Sequence, residues 1–214
     1  MKPHHAHYKK LVLATSSARR ITLLRSLGVD FTVVKPRAPE RVWEGDPRRS
    51  VLENARRKAL SVVEMVPENS VIVAADTLVV DENGRILGKP TSFSSLASMI
   101  RALGGSWHTV VTGVYILDLQ DKIEDSFIEE TRVKFKPLSE EEVILYASSL
   151  EGIGKAGGYA IQGIASLLIE GIIGDYYNVV GLPLNKLYVR LKKMGIDLLR
   201  EGVEKRILGR KAPL

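Results

Sequence analysis

The sequence predicts a mixed α/β fold, an elongated sheet flanked by helices, on three observations. Strand-like and helix-like segments alternate over residues 11–65. The run Ser70-Val-Ile-Val-Ala-Ala75 is almost wholly apolar, the mark of a strand buried on both faces. Two long β runs near 107–118 and 122–135 meet at Gln120-Asp121 and read as antiparallel partners.

Taken in order, Leu11-Val-Leu-Ala14 is a first strand, and residues 17–27 a helix with Ile21, Leu24 and Leu27 on one side and Gly28 at its end. Asp30-Phe-Thr-Val-Val34 is a second strand. Pro36, Pro39 and Pro47 mark a loop that holds Glu40 and Glu44. Asp46-Pro47 supplies an N-cap and a proline at the first helical position, opening a helix to about Met65. The strand from Ser70 is read as ending at Asp76, with Leu78-Val-Val80 continuing into a hairpin at Glu82-Asn-Gly84. Gly88-Lys89-Pro90 is a turn. A helix over 93–103 stops at Gly104-Gly105, and Ser139-Glu-Glu-Glu142 is a capping box opening another to about Leu150. Residues 151–163 hold five glycines, too many for regular structure. Strands near 164–170 and 176–180 flank a turn at Gly174-Asp175, and a final helix starts near Pro183. Residues 1–8 read as a disordered tail and 9–214 as one domain.

Composition limits the function. The 214 residues carry a net charge of +6, with 45% hydrophobic residues and no cysteine. Disulfides, thiolate catalysis and cysteine zinc sites are thereby excluded. No apolar stretch reaches membrane-spanning length and the start lacks a signal-peptide core, so a cytoplasmic protein is expected. The charge is uneven. Residues 1–60 hold 14 Lys/Arg against 5 Asp/Glu, whereas residues 61–185 hold 8 against 17. A basic first quarter fits an acidic ligand, from a nucleotide to a nucleic acid.

The junction after the first strand is the most informative stretch. Thr15, Ser16 and Ser17 precede a helix start that carries Arg19 and Arg20. A helix N-terminus exposes unpaired N–H groups and partial positive charge, so two guanidiniums there oppose the dipole. They suit a docked anion, most simply a phosphate. Solvated arginines on an ordinary capped helix are the alternative. Asp76 has two readings: a turn cap paired with Thr77, or a carboxylate that holds Mg²⁺ against a phosphate or serves as base for a water. Lys89 and Lys155 each lie in a glycine-containing loop where an anion can approach, though neither is a Walker motif. Lys58, by itself, reads as solvated. His4, His5 and His7 belong to the tail, and His108 reads as a packed or edge histidine.

Five segments then align with one family. They are Leu13-Ala-Thr-Ser-Ser-Ala-Arg-Arg20, Ala74-Ala-Asp-Thr77, Leu87-Gly-Lys-Pro90, Gly105-Ser-Trp-His-Thr-Val-Val-Thr-Gly113, and Lys155-Ala-Gly-Gly-Tyr-Ala-Ile-Gln-Gly163. The last runs on to Gly174-Asp-Tyr-Tyr-Asn-Val-Val-Gly-Leu-Pro-Leu184. The chain resembles the Maf-like nucleoside triphosphate pyrophosphatases over roughly residues 10–195. The resemblance implies an ITPase-like α/β fold with a cleft between two lobes. It implies hydrolysis of nucleoside triphosphates to monophosphate and pyrophosphate with Mg²⁺ or Mn²⁺.

Carried over, Ser17, Arg19, Arg20, Lys58, Lys89 and Lys155 bind the nucleotide. Asp76 is the proton acceptor, and Glu40 with Asp76 holds the metal. Arg19, Thr77 and Gln162 fall on positions that go with dTTP and UTP rather than 7-methyl-GTP. Ala18 stands where proline is usual and Gly158 where alanine is usual, which bears on loop rigidity. The expected partner is a small-molecule nucleotide, with no membrane and no stable nucleic-acid partner, and with a homodimer left open beside a monomer. The competing reading is a nucleic-acid-binding regulator using the basic first quarter.

Overall fold

The computed structural model describes residues 9–210. The expected tail, with His4, His5 and His7, lies outside the described residues. Among those described, no helix is long and apolar enough to cross a membrane.

Seven strands form one mixed sheet. β1 (Lys10–Ala14) pairs in parallel with β2 (Thr32–Val34) on one side and with β3 (Ser70–Asp81) on the other. β3 continues antiparallel into β5 (Trp107–Asp118), β5 into β6 (Ile123–Phe135), and β6 into β7 (Ile169–Ile173). The short β4 (Ile86–Leu87) folds back on β3 through a turn at Gly84, whose φ of +78° suits glycine. Helices α1 (Ala18–Ser26), α2 (Pro47–Leu60), α3 (Phe93–Leu103), α4 (Glu140–Ser148), α5 (Tyr176–Val180), α6 (Leu184–Lys193) and α7 (Leu198–Arg210) flank it. Both halves of the Ser139–Glu142 capping box form.

The long strands explain why there are two lobes. Val71, Val73 and Ala75 pack with Leu24, Ile116, Leu182 and Leu187 in one buried cluster. Val79 packs with Leu96, Ile100, Val110, Phe135 and Tyr146 in a second. β3 and β5 run through both, so the lobes share a sheet, and Asp76 and Thr77 fall where one cluster gives way to the other.

Five expectations are corrected here. Asp76 is not at a strand end and there is no turn at Thr77. β5 pairs with β3 from Val71 to Asp81 and carries the strand straight past the point where β1 stops, at Ala14 opposite Ala74. α2 ends at Leu60, followed by a 3₁₀ turn over Val63–Met65. Residues 176–180 are helical rather than extended. The Asp175 carboxylate accepts from the Tyr177 N–H, and buried Asn178 donates to Val110 O and Thr131 Oγ1, which holds the helical turn in place. The segment 164–170 opens as a 3₁₀ turn at Ile164–Leu167 before β7, and the C-terminal helix breaks in two at Gly195, φ +88°.

Gly113 sets the position of α2. It pairs with Asp76 across the sheet, so their side-chain positions share a face. A Cβ at Gly113 would lie 2.7 Å from Val51 C and 2.8 Å from Leu52 N. The α2 backbone therefore lies directly on the sheet, and its next turns present Asn54 and Lys58, four residues apart on one face, to Asp76. Gly113→Ala is expected to cost about 1–3 kcal/mol, because the clash is with backbone that cannot swing aside. Thermal and urea denaturation check this, and unchanged stability would show that α2 is free to lift.

Candidate active site

On one edge β3 is paired to β1 as far as Ala74 and to β4 from Val79. Between those points that edge is open, at the carboxyl end of β1, where open α/β sheets place their ligands. A cavity of about 370 Å³ occupies the gap. Because Asp76 and Thr77 project from opposite faces of the strand, the gap exposes both to one space. Its lining includes Thr15 to Arg20, Glu40, Lys58, Asp76, Thr77, Lys89 and Lys155, with Val79, Val110, Tyr159 and Val179 as apolar wall. Nine of the ten expected site residues are thus brought together. Gln162 is exposed and lies outside that lining.

Asp76 is only 4% exposed. Its Oδ1 accepts from Lys58 Nζ at 2.7 Å and its Oδ2 from Asn54 Nδ2 at 2.9 Å. Lys58 Nζ also donates to Glu40 Oε1 at 2.8 Å, and Lys89 Nζ donates to Glu40 Oε2. The result is an alternating chain, Lys89–Glu40–Lys58–Asp76, in which each buried charge meets its opposite. Burial alone would raise the Glu40 carboxyl, but Lys58 and Lys89 overcome it and hold it at about 2. Lys58 is therefore not solvated. The helical spacing that matters is Asn54 to Lys58, and Asn54 is the site residue that sequence reasoning missed. Its one signal was a polar, weakly helix-forming residue in mid-helix, four residues before a lysine.

Among the described residues the remaining cations of the cavity pair with no carboxylate. Buried Arg20 donates through Nε to Gly181 O at 2.7 Å and through Nη2 to Thr77 Oγ1 at 2.8 Å, both neutral acceptors. Thr77 Oγ1 lies 2.9 Å from Thr112 Oγ1, which fixes its direction. Burial pushes the guanidiniums of Arg19 and Arg20 below their ordinary value, and the ammonium of Lys155 is lowered by burial and then by neighbouring Arg19. Five cations thus face two carboxylates in the cavity, and both carboxylates are already paired. At the start of α1 no acidic residue lies in the first turn and the Ser17 side chain makes no cap bond. Those N–H groups add to the positive field.

Lys155 is carried by the glycine-rich loop. Gly157 and Gly158 take φ of +70° and +71°, so the glycine at 158, where the family commonly has alanine, sits in the region that favours glycine. Glu151 binds the loop together, accepting from the Ile164 N–H at 2.9 Å while its carbonyl accepts from Lys155.

Among the described residues no cluster of three or more acidic or histidine side chains forms a metal cage. The carboxylates available are Glu40 and Asp76, bridged by Lys58. They are oxygen donors of the kind hard divalent cations take, but each oxygen already accepts from Lys58, Lys89 or Asn54, so a cation would have to displace an ammonium to reach them.

The model of the family described as Maf-like protein matches residues 10–194. A dTTP/UTP pyrophosphatase of Staphylothermus marinus is 54% identical over 203 residues, covering 94% of this chain and 98% of that protein. One of Thermosipho melanesiensis is 44% identical over 178 residues, covering 83% and 94%. A HAM1 protein structure from Coxiella burnetii superposes with a TM-score of 0.48 at 11% identity, covering 95% of this chain and 100% of that one.

Beneath the cavity His108 is fully buried, edge-on to Phe135 and Tyr159, with Nε2 2.7 Å from the Tyr159 hydroxyl and, among the described residues, no partner for Nδ1. Burial lowers it to about 4. In the unfolded chain a histidine titrates near 6.5, so between the two values the unfolded state binds more protons. Stability is therefore expected to fall as pH drops from about 6.5 to about 4, by on the order of 3 kcal/mol, and this component to vanish in His108→Gln. Urea denaturation across that window, wild type against variant, reads the difference directly. Parallel profiles would contradict it.

Proposed function

Since the chain belongs to the Maf-like protein family, we propose that it hydrolyses nucleoside triphosphates, dTTP and UTP foremost, to the nucleoside monophosphate and pyrophosphate. The observation that carries this reading is a buried carboxylate, Asp76, fixed at both oxygens and set among cations that exceed the acidic charge of the cavity. The names of the relatives support the choice of nucleotides.

In this reading a water attacks the α-phosphorus. The bond to the β-phosphate oxygen breaks, pyrophosphate leaves, and Asp76 takes the water's proton. Lys58 and Asn54 hold the Asp76 carboxylate in one orientation, so no reorganisation is needed when the proton moves. Arg19, Arg20, Lys89 and Lys155, with Ser17 and the first-turn N–H groups of α1, offset the charge of the triphosphate and of the leaving pyrophosphate. Glu40 and Asp76 would hold the divalent cation, Mg²⁺ or Mn²⁺, which supplies Lewis-acid charge neutralisation when bound. The apolar wall of Val79, Val110, Tyr159 and Val179 suits a base and sugar.

Base choice is assigned to Arg19, Thr77 and Gln162. Thr77 acts in part through Arg20, whose guanidinium it accepts. Gln162 lies outside the cavity lining, so its contribution needs the loop to approach the nucleotide. The competing reading, a nucleic-acid-binding regulator, is disfavoured because Arg19, Arg20 and Lys58 of the basic first quarter converge on an enclosed cleft.

A panel of dTTP, UTP, CTP, GTP and 7-methyl-GTP with Mg²⁺ or Mn²⁺ tests the proposal by initial rate and product. The expected products are monophosphate and pyrophosphate, fastest from dTTP and UTP. Stepwise release of inorganic phosphate would place attack at the terminal phosphorus and defeat the proposal. A preference for 7-methyl-GTP would move the chain to the other branch. Asp76→Asn keeps the shape and loses the base, so turnover should drop by about a hundredfold or more. Near-full turnover of that variant would remove Asp76 from the chemistry. Gln162→Glu should lower pyrimidine turnover while leaving the fold intact, and unchanged turnover would remove Gln162 from base choice.

A further inference from the structure

The geometry points to Asn54 as a positioning residue that locks the Glu40 loop onto Asp76, an inference that rests on the pyrophosphatase reading for its catalytic consequence. Asn54 is 2% exposed and makes three hydrogen bonds. Its Oδ1 accepts from the Arg41 N–H at 2.9 Å. Its Nδ2 donates to Arg41 O at 2.8 Å and to Asp76 Oδ2 at 2.9 Å. The chemistry allows one orientation of the amide. Arg41 O and an ionised Asp76 only accept, so the two N–H groups must face them, and the oxygen is left for the one backbone donor.

This bonding adds a second tie between loop and strand, through the loop backbone, beside the one that Lys58 makes through the Glu40 side chain. Residues 35–46 between β2 and α2 contain no strand or helix. They are held by side chains of α2 and its C-terminal cap, with Ser50 accepting from the Trp43 N–H and Ser61 from the Arg37 N–H. Of these three residues, only Asn54 also bonds a side chain of the cleft, Asp76. It brackets Arg41 at both its N–H and its carbonyl, and so fixes the backbone next to Glu40. From there Glu40 reaches Lys58 and Lys89. The same amide steadies the Asp76 oxygen that Lys58 does not hold. Asn54 thus fixes the loop backbone against the strand carboxylate, while Lys58 spans the two carboxylates themselves. A polar residue with weak helix preference, buried in mid-helix, has its desolvation offset only through these bonds.

Two variants with two readouts test it: Asn54→Ala, which removes all three bonds, and Asn54→Asp. The aspartate keeps the shape and the acceptor for Arg41 N–H, loses both donors, and sets a carboxylate against Asp76. Initial rates of pyrophosphate release from dTTP give kcat and KM. Limited trypsin digestion at exposed Arg37 and Arg41 reports the loop without reference to activity. In Asn54→Ala, kcat should fall by about tenfold or more with KM within about threefold, and loop cleavage should accelerate. In Asn54→Asp, kcat should fall at least as far while cleavage stays nearer to wild type. A kcat within about twofold of wild type in either variant would overturn the inference, as would an alanine variant whose loop resists trypsin as the wild type does. If the alanine variant does not fold, the isosteric aspartate decides. A wild type that releases no pyrophosphate from dTTP overturns the functional reading instead, and trypsin resistance still decides the lock.

Discussion

The ammonium of Lys58 is the interaction on which the rest of the site depends. It lies between two carboxylates, Asp76 on the sheet and Glu40 on a loop, and is itself almost buried. A lysine so placed is tolerable only with partners, and a carboxylate as enclosed as Asp76 is tolerable only with a cation. Each therefore supplies the partner that the other's burial requires. Removing any one would leave a charge stranded in a poorly solvated place. The arrangement also explains why Glu40 is held at about 2 although burial acts to raise it. The loop carboxylate is saturated with positive charge, from Lys58 below and Lys89 beyond.

That interaction exists because of a mismatch in strand length. β1 contributes five residues to the sheet and β3 twelve. Once β1 ends, β3 continues with β5 on one side and nothing on the other until β4 arrives. The open edge falls at the junction of two hydrophobic clusters, so neither cluster fills it. Gly113 completes the device from the neighbouring strand, because the missing side chain lets the α2 backbone rest against the sheet and deliver Asn54 and Lys58. The cleft is thus a place where regular pairing lapses on one edge while strand geometry persists.

Electrostatically the site has two parts. Lys58 and Lys89 are matched by the two carboxylates, whereas Arg20 and Lys155 are held by neutral acceptors or by the backbone, with half-buried Arg19 beside them. The first part organises the reacting centre. The second is a field of excess positive charge whose natural complement is an anion with several oxygens. Thr77 belongs to both parts: it sits beside Asp76 in sequence, and through Arg20 and Thr112 it connects the cation to the buried polar cluster around Asn178.

The sequence by itself determined the element types wherever one local signal was strong. The apolar run at 71–75, the capping box at Ser139, the Asn-Gly turn and the two long β runs each have a short-range cause, and they appear where they were read. It also determined the chemical inventory, since Asp76, the paired arginines and the lysines in glycine loops stand in recognisable segments. Tertiary structure decided what those residues do. Only the pairing of β5 along all of β3 makes Asp76 a mid-strand residue, because pairing partners many positions away outrank the local look of a strand end. Only a capping aspartate and buried Asn178 turn 176–180 from a β-like string into a helix. Asn54 and Lys58 were unreadable as a pair with Asp76, because their meeting depends on the closeness of a helix to a glycine on a third element. Gln162 could be placed in a motif, but whether a loop residue faces the cavity is settled by how the glycines turn the chain, which is a property of backbone conformation and packing rather than of spacing.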